Sequence, residues 1–155
     1  MTERFVPRNS DWRESDDIAS LREALLKVPA NQFHPLVYIG GAPSIGTEVY
    51  IGLFSEVNAQ GAEVRIGDYS DIASFVSINV ADSHMQCIGL SKEVQRRDIW
   101  IGERVFVGTH CAILGGTRIG DRSVIGAGVI LQNVDIPPGS LVVGNPYEIK
   151  PGYYS

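Results

Sequence analysis

Aliphatic residues recur at every sixth position along most of this chain. From Ile101 the steps land on Val107, Ile113, Ile119, Ile125 and Leu131. In four of those six hexads the next residue is glycine, at Gly102, Gly108, Gly120 and Gly126. Four residues after each aliphatic come Val105, Cys111, Thr117, Ser123 and Val129, all small or β-branched. The first half repeats the pattern through Ile39, Ile45, Ile51 and Val57. After three extra residues near Gly61 it resumes at Ile66, Ile72 and Ile78. A helical period does not produce a six-residue repeat. Glycine, at 17 of 155 residues, stands well above its usual share of about 7%.

Six-residue spacing points to a solenoid. Side chains alternate across a strand, so each aliphatic and the small residue two before it face the same narrow interior. The glycine then falls at a corner, where a Cβ is in the way. Three short strands and three corners close a coil of 18 residues. Such coils stack about 4.8 Å apart, and the landings amount to roughly four of them. The expected architecture is an all-β parallel solenoid.

Three segments lie outside the hexads. In residues 1–36, Asp11 and Glu14 are placed for a capping box. Ile18, Leu21, Leu25 and Val28 follow at helical spacing, and Pro29 ends the run. This predicts a helix near 12–28 with its apolar stripe on the first coil or on a neighbouring chain. The repeat spans 37–136 and is broken by an excursion over about 80–99, in which Lys92, Glu93, Arg96, Arg97 and Asp98 indicate an exposed loop. Long excursions from compact solenoids are often functional. Residues 137–155 carry Pro137, Pro138 and Pro146 and read as a cap on the last coil.

Composition narrows the function. A net charge of −5 and a pI near 5.1 argue against gripping nucleic-acid phosphates or an anionic membrane. The longest uncharged stretch, from Val28 to Thr47, is broken by prolines and polar residues, and the N-terminus shows no apolar signal region. Cys87 and Cys111 make no disulfide framework. The expected compartment is the cytoplasm. Among the histidines, His34 precedes the repeat and reads as structural. His110 faces outward within a regular hexad. His84 opens the excursion, and an imidazole there suits acid–base work near neutral pH. Asp82, two residues earlier, either orients that ring or stands as a solvated loop carboxylate.

The hexads resemble those of the hexapeptide-repeat acyltransferases, which implies a left-handed parallel β-helix; the hand comes from the resemblance, since ordinary crossovers are right-handed. From Val64 to Pro146 the chain resembles the galactoside, maltose and capsular-sugar O-acetyltransferase branch. The motifs are the loop-entry His84, IWIG at 99–102, VGTH at 107–110, IGAG at 125–128, DIPPG at 135–139 and GNP at 144–146. The resemblance implies transfer of acetyl from acetyl-CoA to a carbohydrate hydroxyl, with no metal. It implies His84 as general base, the Thr109 backbone N–H as oxyanion donor and Ala127 lining the pantetheine arm. It also implies homotrimers with sites between subunits.

The chain departs from that pattern in places. Relatives often carry a lysine before DIPP, where this chain has Gln132, Asn133 and Val134. Lys150 is the cation left after GNP for the coenzyme phosphates, with Arg118 or Arg122 as substitutes. Trp100 and Phe106 are candidate acceptor walls or subunit-packing residues. Two other readings use the same solenoid: a non-catalytic assembly module, and a γ-carbonic-anhydrase-like zinc enzyme, which needs three clustered histidines.

Overall fold

A computed structural model describes residues 15–27 and 31–154. Three parallel sheets form the faces of a prism. The first face stacks Tyr38–Gly40, Glu56–Asn58, Ser77–Asn79, Ala112–Leu114 and Ile130–Leu131. The second stacks Ser44–Ile45, Val64–Ile66, Ile99–Ile101, Arg118–Ile119 and Asp135–Ile136. The third stacks Tyr50–Ile51, Asp71–Ile72, Phe106–Val107, Val124–Ile125 and Leu141–Val143.

The hexad aliphatics stand directly above one another. On the first face Ile39 pairs with Val57, Val57 with Ile78, Ile78 with Ile113 and Ile113 with Leu131. From Ile51 onward the landings are buried, as are the small residues two before them: Val105, Cys111, Thr117, Ser123 and Val129. Ile39 and Ile45 of the first coil are only partly covered.

Each sheet holds five parallel strands, so there are about five coils rather than four. Ile136 and Val142 carry the interior past Leu131, through residues 137–143 that the prolines had suggested were a cap. Pro137 and Pro138 fall at a corner, not in a strand, so their missing N–H removes no ladder bond. The chain then turns back as Glu148–Lys150, antiparallel to Leu141–Val143, and covers the open edge of the third sheet.

The glycines after the aliphatics serve a purpose other than turning. At Gly108 a Cβ would lie 2.6 Å from the Ala127 nitrogen of the next coil, and at Gly52 2.4 Å from that of Ser74. Coil stacking therefore excludes a side chain there. The turn itself is made two residues later, in the left-handed region, at Phe54, Tyr69, Phe75, Arg104, His110 and Arg122.

A helix spans Asp16–Leu26. Ser15 caps it, its hydroxyl accepting from the Ile18 N–H at 3.4 Å, and Asp16 and Asp17 occupy the first turn. The expected capping pair Asp11 and Glu14, and the helix limits at 12 and 28, lie outside the described residues. The apolar stripe does not pack on the first coil: Ile18, Leu21 and Leu25 are all more than half exposed, at 51%, 57% and 70%.

Candidate active site

The excursion leaves the prism at the corner between the first and second faces. It is a small hairpin, with Ala81–Asp82 pairing antiparallel to Gln95–Arg96 and a helical turn at His84–Cys87. Both sides of its root are tied to the prism. Below, Arg96 Nε donates to the Gln60 carbonyl at 2.8 Å, and the Glu63 N–H donates to Asp98 Oδ1 at 2.8 Å. The three extra residues near Gly61 thus form the shelf on which the hairpin rests. Above, Gln132 Nε2 donates to Asp82 Oδ2 at 3.3 Å, and Arg97 Nη1 donates to Asn133 Oδ1 at 2.5 Å.

His84 sits at the head of the helical turn, its side chain 62% exposed. Its Nδ1 bonds to Asp82 Oδ1, and its backbone N–H donates to the same oxygen at 3.2 Å. These two bonds hold the Asp82 carboxyl below its ordinary value of 3.8, with Gln132 adding to the effect. An ionised carboxylate only accepts, so the proton on the facing imidazole sits on Nδ1. Nε2 is then left with a free lone pair directed away from Asp82. Of the two readings open for Asp82, the structure favours the orienting one over the solvated one.

Thr109 and Ala127 lie at a different corner, between the third and first faces, one coil apart. The Thr109 hydroxyl donates to the Ser74 carbonyl at 2.7 Å, and the Thr109 carbonyl accepts from the Gly128 N–H at 3.0 Å. Among the described residues, no hydrogen bond uses the N–H of either Thr109 or Ala127. The corner between the second and third faces behaves differently. There Asp68 Oδ1 accepts the Thr47 N–H at 2.7 Å, and Asp121 Oδ1 accepts the Glu103 N–H at 2.8 Å. No aspartate stands at the Ser74, Thr109 and Ala127 positions, so no carboxylate caps the corner amides of this edge.

One chain does not bring all the candidate residues together. His84 and Thr109 flank opposite ends of the first face. His110 is exposed as expected, stacks on Phe75 with ring centroids 5.0 Å apart, and bonds through Nδ1 to the Thr109 hydroxyl at 2.8 Å. His34 accepts the Leu36 N–H at 3.2 Å in the turn before the first strand. Lys150 lies on the terminal strand of the third face, 3.9 Å from Glu148. Arg118 is on the second face, opposite the Thr109 edge, with its guanidinium 3.7 Å from the Trp100 ring centroid. Trp100 and Phe106 stand on different faces. Among the described residues, no group of three or more His, Cys, Asp or Glu side chains converges on a possible metal position.

A closed parallel solenoid with a histidine-bearing excursion and an edge of unpaired corner amides defines a recognisable class. The bacterial transferase hexapeptide (six repeats) family model matches residues 98–133. The galactoside O-acetyltransferase of Escherichia coli (strain K12) is 36% identical over 151 residues, covering 92% of this chain and 70% of that protein. The chain therefore belongs to the hexapeptide-repeat acetyltransferase family. A Staphylococcus aureus (strain COL) relative is 51% identical over 51 residues, a stretch covering 33% of this chain but only 25% of that relative's length.

Among solved structures, a galactoside acetyltransferase in complex with coenzyme A superposes with a TM-score of 0.55 at 26% identity, over 92% of this chain and 74% of that one. The polySia-specific acetyltransferase NeuO superposes at 0.60 and 28% identity, over 75% and 61%. These neighbours are left-handed β-helices, and superposition at this level carries that hand to the present chain.

Residue types alone did not single out Gln132 and Asn133 as part of the site. No motif or spacing marks them, because Gln132 and Asn133 meet side chains 50 and 36 residues earlier in the chain.

Proposed function

We propose that this protein is an acetyl-CoA-dependent O-acetyltransferase acting on a carbohydrate hydroxyl. The observation that carries the reading is the exposed His84 ring, fixed by Asp82 through Nδ1 with Nε2 open. Nε2 takes the proton of the acceptor hydroxyl as its oxygen attacks the thioester carbonyl. The oxyanion that forms accepts a hydrogen bond from the Thr109 N–H. Collapse of the tetrahedral species releases acetylated acceptor and the coenzyme thiolate, and the imidazolium returns its proton to that sulfur. Atoms and charge balance without a metal.

Ala127, one coil beyond Thr109, offers the next free N–H along the same edge to the pantetheine arm. Lys150, the cation that follows GNP, serves the coenzyme phosphates, with Arg118 or Arg122 as substitutes. Because His84 and Thr109 flank opposite ends of one face, a single prism does not complete the site. A second copy supplying the missing half does, and a closed threefold ring gives three equivalent sites. The carbohydrate acceptor is supported by the galactoside O-acetyltransferase relative and by the neighbour named as polySia-specific.

His84→Ala should keep the fold and the oligomer while lowering acetyl transfer by about 10²-fold or more. The assay is coenzyme release from acetyl-CoA against a panel of sugars and oligosaccharides. Wild-type turnover in the folded variant would remove His84 as the base.

A further inference from the structure

Two corner residues of the prism sit where the excursion needs support. Gln132 and Asn133 form the corner after the last strand of the first face, and both reach the hairpin root. Gln132 donates to the Asp82 oxygen that His84 does not use. Asn133 accepts from Arg97. Arg97 is itself pinned, its backbone N–H donating to the Val80 carbonyl at 3.1 Å and its Nη2 to Gln95 Oε1 at 3.3 Å. Asn133 is held with φ at 51°, a conformation asparagine tolerates better than most residues. Asp82, Gln95, Arg97 and Gln132 line one hollow.

We propose that Gln132 and Asn133 are positioning residues, a two-point clamp that fixes the hairpin root and, through Asp82, the tautomer and heading of the His84 imidazole. An exposed dyad on a hairpin has no surrounding core to lock its rotamers. Carboxylate partners of a working imidazole need their own hydrogen bonds to stay aimed. Gln132 fills that role because its amide donates to the second carboxylate oxygen while Oδ1 stays with the ring. Asn133 fixes the other hairpin strand. The clamp rests on His84 being the base only for its effect on turnover; its effect on the ring does not depend on that reading.

Nitrogen-15 NMR of the histidine rings in the full chain, with His84 assigned from His84→Ala, reads the tautomer without substrate. In the wild type the neutral ring should carry its proton on Nδ1. Gln132→Met removes the amide at similar size and should yield a mixture with the Nε2–H form. Gln132→Lys restores a donor and should return the wild-type tautomer. Asn133→Ala should speed amide exchange over residues 81–97. Turnover with acetyl-CoA and methyl β-galactoside is the second arm: Gln132→Met should lower kcat about 10-fold with KM for acetyl-CoA unchanged.

An unaltered tautomer in Gln132→Met, or unaltered exchange in Asn133→Ala, overturns the clamp whatever the turnover. A shifted tautomer with His84→Ala still fully active leaves the clamp standing and removes the base. If the wild type does not use this galactoside, the NMR and exchange results decide alone.

Discussion

At the scale of single residues, the Asp82–His84 pair shows how two exposed side chains acquire a defined state. Asp82 is a carboxyl whose ionised form is stabilised in the folded chain, chiefly by the His84 ring bond and then by the His84 backbone N–H. A depressed folded value means the contribution is fully present above the ordinary value of 3.8 and is lost as pH falls through the lower folded value. The stability difference between the wild type and Asp82→Asn should therefore shrink as pH falls below about 4. Denaturant titrations at a series of pH values measure this. A difference that grows below pH 4 would contradict the bonding described. The sequence offered Asp82 and His84 as neighbours two apart but left two roles open for Asp82. The backbone turn at Ser83 decided between them by bringing the carboxylate to Nδ1.

Coil-to-coil joining belongs to the scale of strands and corners. The interior position two before each aliphatic is often polar, and most of these polar side chains cross-link neighbouring coils. Ser70 donates to the Gly102 carbonyl at 2.9 Å and accepts the Val105 N–H at 3.1 Å. Ser123 donates to the Pro137 carbonyl at 3.1 Å and accepts the Ser140 N–H at 3.2 Å. Cys111 donates to the Gly126 carbonyl at 3.0 Å, and burial pushes its thiol up from the ordinary value. Thr117 occupies the same position yet its buried hydroxyl has no partner among the described residues. The two sites should respond in opposite directions. Ser123→Ala strands the buried Ser140 N–H, while the Pro137 carbonyl keeps the Ser140 hydroxyl at 2.6 Å, and should cost about 1–3 kcal/mol. Thr117→Val keeps the shape, removes an unpaired hydroxyl, and should be neutral or stabilising by up to about 1 kcal/mol. Chemical denaturation of both variants is the check; a Thr117→Val loss as large as that of Ser123→Ala would show that the hydroxyl is satisfied after all. The hexad made these positions legible as interior, but which hydroxyls find a partner depends on the carbonyl one coil away.

For the whole molecule, the unanswered surface is the N-terminal helix. Ile18, Leu21, Leu25 and Leu26 are all exposed, while Arg22, at helical spacing between Ile18 and Leu26, is buried. Four large apolar side chains along one short helix make a patch of the kind that usually meets a partner. A site shared between copies, as proposed above, gives that patch a covering chain. The double variant Leu21→Glu and Leu25→Glu should then lower the mass found by light scattering from the assembled to the single-chain value, and transfer should fall with it. A wild-type oligomer in that variant would separate the helix from assembly. The helical spacing made the stripe visible; what it packs on was not, because an apolar face does not specify its partner.

The sequence by itself determined the prism. A six-residue step, small residues two before each aliphatic and glycine one after it admit few closed packings, and every one of those features is local. It also marked His84, Thr109 and Ala127, through motifs that a chain of this family carries in order. Only the tertiary structure decided the fifth coil, since five-residue and proline-broken steps hide Ile136 and Val142 from a strict count. Only it separated close stacking at the hexad glycines from turning at the left-handed residues two places on. Only it joined Gln132 and Asn133 to a hairpin up to about 50 residues earlier. Hydrophobic repeats speak for themselves because burial is a property of each position. A clamp is a property of two distant positions, and spacing along the chain does not reveal which pairs meet.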